Sequence, residues 1–225
     1  MTGRRRRASG SLLLFPGAGS DRTHPCLVAI EEAVVAARPG TRAVRADFPY
    51  RKAGRRAPDR APVLLEAVRE EAAALGPDPL VLGGRSMGGR MCSMAVAEGL
   101  PATGLVLVSY PLHPPGKPDR LRVENLVELR LPCLFVHGTK DAFGTPEELQ
   151  AWTATIPGPV DHVWIEGGTH ELKRADARVA AAVADWIVGR GLLSATPADP
   201  APPSPAAPPS PAAPARRARS PRPRG

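Results

Sequence analysis

The sequence predicts an α/β domain, a mostly parallel six-stranded sheet with helices on both faces. Three observations predict it. Short apolar runs alternate along the chain with stretches of helical pattern, as expected for a parallel sheet covered by helices. A serine lies on a glycine-rich turn between one apolar run and the helix that follows, and a carboxylate and a histidine each follow a later run. In open α/β sheets, sites form at these carboxyl ends of strands.

The alternation gives the order of the elements. We predict strands over 11–15, 42–47, 79–83, 104–109, 132–137 and 160–165, and helices over 25–37, 60–75, 87–98, 146–155 and 176–189. In the last helix, Val179, Val183 and Ile187 recur every four residues and form one apolar stripe. The segment over 110–130 is short and proline-rich, so we expect an open cleft with no substantial lid.

The turn at Gly84-Arg85-Ser86-Met87-Gly88 is a G-x-S-x-G pentapeptide. In its strand-to-helix context, the serine adopts a strained backbone and points Oγ away from the sheet. Glycines flank it because strand and helix cross closely there, where a Cβ would clash. Ser86 is therefore the candidate nucleophile, and an ordinary turn serine is the alternative.

Two polar residues follow later strands in the order that such a serine requires. Asp141 follows the strand predicted at 132–137, and His170 follows the strand at 160–165. Serine needs an imidazole to take its proton, and the imidazole needs a carboxylate that fixes its tautomer. The chain order Ser86, Asp141, His170 thus predicts a nucleophilic triad, although a loop carboxylate or a capping histidine would have the same position.

The first predicted strand runs into the turn Gly17-Ala18-Gly19. A loop at this position supplies one amide of an oxyanion hole, and the residue after the nucleophile supplies the other. We assign these backbone donors to Ala18 and Met87. A dinucleotide-binding loop is excluded because Arg22 occupies the place of the third glycine.

Three segments carry a resemblance to a known family, namely Phe15 to Pro25, Gly84 to Arg90 and Tyr110 to Lys117. With them the chain resembles the α/β-hydrolase superfamily, in particular its small dienelactone-hydrolase-like proteins, over roughly residues 10–190. It is most similar to the group of testis-expressed protein 30 and subunit 3 of the nonspecific lethal chromatin complex. Pro16 departs from the pattern, since many hydrolases have histidine there.

Two functions are consistent with these features. The first is a serine hydrolase that cleaves a small acyl ester, thioester or lactone without a cofactor. The second is a hydrolase-fold interaction protein with an idle or vestigial triad, because the resemblance includes members that serve in complexes. The complete triad order favours the first, with a small acyl compound as the substrate and an unidentified protein partner as a further possibility.

Four more residues are candidates for binding the substrate. Arg85, beside the nucleophile, can recognise a carboxylate or phosphate, or can form a salt bridge beneath the loop, for example to Asp21 or Asp47. His24, His113 and Tyr110 lie in loops that can border the cleft. For the two histidines, local hydrogen bonding within the loop is the alternative.

The net positive charge of the chain comes from its two ends. The net charge is +8; Arg4 to Arg7 contribute +4, and five arginines against Asp199 after residue 194 contribute another +4, which leaves 8–194 near neutral. We predict a flexible basic N-terminus at 1–9, a folded domain at 10–193 and a disordered Pro/Ala/Arg-rich tail at 194–225. The tail has no aromatic residue for stacking on bases, so no specific nucleic-acid binding is expected.

The remaining composition indicates a protein of a reducing compartment. Cys26, Cys92 and Cys133 have no paired spacing, so we expect buried thiols and a cytoplasmic location rather than disulfides. The apolar run Leu12 to Phe15 is too short for a signal peptide or a membrane span. No metal-binding motif is present in the sequence.

Overall fold

A computed structural model describes residues 10–194 of the 225. The predicted N-terminal segment at 1–9 lies outside the described residues, as does the predicted tail at 194–225 except for Ser194. Within 10–194, no helix is both long enough and apolar enough to span a membrane.

The described residues form one six-stranded parallel sheet with helices, so the predicted fold class is confirmed. The strands are β1 (Ser11–Phe15), β2 (Arg42–Arg45), β3 (Leu80–Arg85), β4 (Gly104–Val108), β5 (Cys133–Gly138) and β6 (Val160–Ile165). The helices are α1 (Pro25–Ala37), α2 (Pro49–Lys52), α3 (Ala61–Ala73), α4 (Met87–Ala97), α5 (Pro146–Thr153) and α6 (Asp176–Gly189). The strand order is β2-β1-β3-β4-β5-β6, with every pairing parallel.

The core has two layers, one on each face of the sheet. Leu12 and Leu14 of β1 pack with buried residues of α1 and α6, whereas Leu13 and Phe15 pack with those of α3 and α4. This division follows from the period of two in a strand, which sends successive side chains to opposite faces. Because both faces are covered, the four central strands β1, β3, β4 and β5 are buried at every position. The two edge strands β2 and β6 are only partly buried and carry polar residues.

Local sequence signals explain where two helices lie. α5 begins with a capping box, in which Thr145 Oγ1 accepts from the Glu148 amide at 3.2 Å and the Glu148 carboxylate accepts from the Thr145 amide at 2.7 Å. α6 buries the predicted stripe completely, with Val179, Val183 and Ile187 each 0% exposed. Capping thus sets the start of α5, and the apolar stripe orients α6 toward the sheet.

The structure differs from the predicted elements around Pro49. β2 ends at Arg45 instead of continuing to residue 47, and the short helix α2 follows it. Proline cannot donate to a strand ladder, but its fixed φ suits the first position of a helix. The chain therefore turns into α2 here, and this buries Tyr50.

The chain between β4 and β5 contains a single 3₁₀ turn, Leu126–Glu128, and no α-helix. Tyr110, Leu112, Leu126 and Leu129 in this segment are each 0% exposed and belong to the core. The segment is thus packed against the domain, and within the described chain it adds no helical lid over the carboxyl edge of the sheet.

Candidate active site

Ser86 lies on a sharp turn between β3 and α4, with φ 51° and ψ −119°. A positive φ is costly for a residue with a Cβ and persists only where the surroundings impose it. One such constraint is the hydrogen bond that the Ser86 amide donates to the Val108 carbonyl at 2.8 Å, which continues the sheet to the turn. The turn directs the Ser86 side chain to the wall of a cavity at this edge.

The glycines around Ser86 allow β3, α4 and β1 to come into close contact. A Cβ at either Gly84 or Gly88 would lie 2.3 Å from the Phe15 carbonyl oxygen. These neighbours are backbone atoms, which cannot move aside as a side chain can. The tight crossing expected from the pentapeptide is therefore present in the structure.

His170 lies between Ser86 and Asp141. Its Nε2 is 2.8 Å from Ser86 Oγ, and its Nδ1 is 2.8 Å from Asp141 Oδ2 and 3.0 Å from Oδ1. The three residues follow β3, β5 and β6, whose carboxyl ends meet at one edge because the sheet is parallel. With Nδ1–H directed at the carboxylate, Nε2 has a free lone pair that can accept the Ser86 proton.

The Asp141 side chain is fully buried behind His170. Asp141 Oδ1 accepts a hydrogen bond from the Phe143 amide at 2.9 Å, and the Phe143 ring stacks on His170 with centroids 3.9 Å apart. His137 lies on the other side, where its Nε2 is 2.9 Å from the Gly144 carbonyl and 3.5 Å from Asp141 Oδ2. Burial lowers the pKa of His137, so a neutral imidazole whose Nε2–H points to these oxygens supports the carboxylate.

Ala18 and Met87 line the same cavity as Ser86. Met87 is the first residue of α4, where a backbone N–H has no partner within the helix. The Ala18 carbonyl accepts a hydrogen bond from the Tyr50 hydroxyl at 2.9 Å, which fixes the loop that bears the second expected donor. Their role as the two oxyanion-hole donors stays a prediction.

Arg85 is paired beneath the histidine loop. Its side chain is 5% exposed, and Nη2 donates to the His170 carbonyl at 2.8 Å and lies 2.8 Å from Glu171 Oε2. Of the two possibilities, the structure shows the salt bridge, but with Glu171 in place of the suggested Asp21 or Asp47. The Arg85 guanidinium therefore connects the end of β3 to the loop that holds His170.

The other three predicted substrate-binding residues do not line the cavity. Tyr110 is 0% exposed, and its hydroxyl donates to the Arg122 carbonyl at 3.2 Å. His24 caps α1 by accepting from the Cys26 amide through Nδ1 at 3.2 Å, and burial together with the charge of Arg85 lowers its pKa. His113 is 6% exposed, with Nδ1 2.9 Å from the Pro114 carbonyl. The structure thus shows local hydrogen bonds for all three residues, and substrate binding by them stays a prediction.

The sequence did not reveal several residues of the site. Glu171 is adjacent to His170, and Phe143 comes two residues after Asp141, so proximity to a candidate triad residue was the available signal. Tyr50 is 32 positions from Ala18, and nothing in the sequence linked them. The three cysteines are free and buried. Among residues 10–194 no group of three or more His, Cys, Asp or Glu side chains is arranged to hold a metal ion.

Comparisons with known proteins agree with this architecture. Est1E from Butyrivibrio proteoclasticus is 17% identical, with a TM-score of 0.67 over 84% of this chain and 90% of that one. The esterase domain of a Rhodothermus marinus protein is 16% identical, with a TM-score of 0.65 over 85% and 90%. Dienelactone hydrolase from Anabaena variabilis is 18% identical, with a TM-score of 0.64 over 81% and 87%. At these identities the likeness concerns the fold.

A match to a family model shows the family of the chain, which the structural similarities alone do not. The model for the alpha/beta hydrolase domain matches residues 8–185, which include the Ser86 turn and the loops of Asp141 and His170. The narrower grouping with testis-expressed protein 30 stays a prediction. The chain belongs to the α/β-hydrolase domain family.

Proposed function

We propose that the protein is a serine hydrolase that cleaves small acyl esters, thioesters or lactones through an acyl-enzyme. The observation that carries the proposal is the position of His170, which is 2.8 Å from Ser86 Oγ through Nε2 and 2.8 Å from Asp141 through Nδ1. Nucleophile, base and orienting carboxylate are thus within hydrogen-bond distance in the order that proton transfer requires.

In the proposed mechanism Ser86 Oγ attacks the acyl carbonyl while its proton passes to His170 Nε2. The Ala18 and Met87 amides stabilise the oxyanion that develops. His170 then gives the proton to the leaving oxygen or sulfur, and the acyl group remains on Ser86. Water, activated by His170, attacks the acyl-enzyme and releases the acid. Asp141 stabilises the imidazolium that forms in both halves of the reaction.

The cavity beside Ser86 supports a small substrate. Its volume is about 460 Å³, toward the lower end of the range for small-molecule sites. Apolar side chains form part of its wall, namely Ala61, Leu64, Met87 and Met91. They provide a surface for the carbon skeleton of an acyl or leaving group.

The test is labelling of the folded protein with a fluorophosphonate probe, which reacts with an activated serine and does not require the substrate. Wild type is expected to be labelled, and Ser86→Ala and His170→Ala are expected to lose labelling and at least about 10³-fold of any esterase rate, since the triad acts as a unit. Their Tm values should stay close to wild type.

Ser194→Ala is the matched control, because it also removes one serine hydroxyl. Ser194 is the last described residue, and its hydroxyl accepts a hydrogen bond from Arg38. It should keep full labelling. Labelling of Ser86→Ala at the wild-type level would refute the proposal, as would a wild-type protein that is folded and unlabelled.

A further inference from the structure

Two arginines in the wall of the cavity have no acidic partner among the described residues. Arg90 and Arg122 both line it, and no hydrogen bond or salt bridge within residues 10–194 involves either guanidinium. The Arg90 Nε is buried without a partner. Because a buried donor that lacks an acceptor is costly, their placement at a catalytic cavity requires an explanation.

The two acidic residues in the same wall do not balance these charges. Asp59 accepts two hydrogen bonds from Arg55, at 2.7 and 3.1 Å. Glu171 is paired with Arg85 at 2.8 Å. Each carboxylate thus has its own arginine, so Arg90 and Arg122 leave the cavity with two uncompensated positive charges.

The two guanidinium groups also act on each other. Burial, followed by the charges of Arg90 and Arg120, lowers the pKa of Arg122. Partly desolvated like charges that influence one another destabilise the folded protein. An anion between them would offset this repulsion and accept hydrogen bonds from their unused N–H groups.

Arg90 has a fixed relation to the nucleophile. It lies four residues after Ser86, the N-cap of α4, and its amide donates to the Ser86 carbonyl at 3.0 Å, so its backbone is one helical turn beyond Ser86. That separation corresponds to a rise of roughly 6 Å along the helix. Because Arg90 and Ser86 also line the same cavity, a short acyl chain can connect a carbonyl at Ser86 with an anionic group at Arg90.

On the basis of the proposed hydrolase function, we propose that Arg90 and Arg122 form an anion subsite that binds a carboxylate or phosphate of the acyl substrate. Arginine presents a planar set of donors that matches both oxyanions, and two such groups can hold one anion from two sides. The apolar wall contacts the chain between this anion and the carbonyl. The preferred substrates are then small esters, thioesters or lactones that carry a second, negatively charged group.

The test compares two esters of the same length, 4-nitrophenyl hexanoate and mono-4-nitrophenyl adipate, which differ in a terminal methyl or carboxylate. Wild type is expected to have the higher kcat/KM for the adipate ester. Arg90→Gln and Arg122→Gln should each lower the ratio of kcat/KM for the adipate ester to kcat/KM for the hexanoate ester by about tenfold or more, as for a lost charged hydrogen bond.

Arg120→Gln is the matched control. Arg120 is an exposed neighbour of Arg122 that does not line the cavity, and its variant removes the same charge while keeping the wild-type preference. Arg90→Lys retains the charge without the planar guanidinium, and its kcat/KM for the adipate ester is expected to lie between those of wild type and Arg90→Gln. Adipate and inorganic phosphate, each added as an inhibitor of hexanoate hydrolysis, distinguish the two oxyanions, and the better inhibitor of wild type should lose potency in Arg90→Gln.

Equal losses for both esters in the Arg90 and Arg122 variants would overturn the subsite, as would a wild-type preference for hexanoate. The outcome is separable from that of the hydrolase proposal. If fluorophosphonate does not label Ser86, the hydrolase proposal fails, and the subsite is judged by binding alone. Adipate or phosphate should then raise the Tm of wild type and not that of Arg90→Gln/Arg122→Gln, and no rise in wild type would overturn it.

Discussion

Replacing Arg85 by Met tests whether this arginine holds the histidine loop or contacts the substrate. Methionine retains an unbranched apolar side chain of similar reach and removes every donor. In the structure these donors connect the end of β3 to the His170 carbonyl and to Glu171. The side chain also lies beneath the Gly17-Ala18-Gly19 loop, since a Cβ at Gly17 would be 3.3 Å from Arg85 Nη1. The change therefore removes the link between three parts of the site.

The expected cost comes mainly from one hydrogen bond. Arg85 is 5% exposed, and a buried bond from a charged donor to the His170 carbonyl contributes ~1.5–3 kcal/mol. The Glu171 partner is 56% exposed, so the ion pair adds only ~0–1 kcal/mol. A total of about 2–4 kcal/mol corresponds to a Tm loss of about 5–15 °C for a domain of this size. Displacement of His170 should also lower kcat by about 10- to 100-fold.

Thermal unfolding and ester kinetics measure the two effects. Arg85→Met should lower kcat/KM equally for a neutral and an anionic ester of matched length, because a displaced base slows both reactions. Glu171→Gln, the control, removes only the exposed charge and should cost less than about 1 kcal/mol. A selective loss for the anionic ester, with Tm unchanged, would refute the positioning role and assign Arg85 to the substrate.

Two further predictions concern packing and pH. Gly88→Ala would place a Cβ 2.3 Å from the Phe15 carbonyl oxygen and should destabilise the domain by about 3 kcal/mol. Gly19→Ala is the control, since a Cβ there has nothing within 4 Å, and it should leave the Tm nearly unchanged. Equal Tm values for the two variants would refute the close crossing. Burial lowers the pKa values of His137 and His24 from the usual 6.5, so below that pH the unfolded chain binds protons that the folded chain does not. Their contribution to stability is complete above pH 6.5 and is lost as the pH falls, so Tm should decrease between pH 7.5 and 5.5, and His137→Asn should reduce that decrease; an unchanged dependence on pH would contradict it.

Local sequence patterns were sufficient to predict the strands, most helices and the order of the candidate site residues. A buried strand needs a run of apolar residues, and a strand-to-helix turn over a close crossing needs glycines, as at Gly84 and Gly88. Each requirement acts over a few neighbouring positions and is therefore visible in the chain. The helix α2 was missed because the proline that begins it also fits an ordinary loop.

The sequence by itself determined that Ser86, Asp141 and His170 follow the carboxyl ends of parallel strands, because in such a sheet strand order and direction bring those ends to one edge. Only the tertiary structure decided the partners of the arginines. Arg85 pairs with Glu171, 86 positions away, while Arg90 and Arg122 face the cavity without an acid. A long charged side chain can reach many neighbours, and which one it meets depends on how distant loops pack.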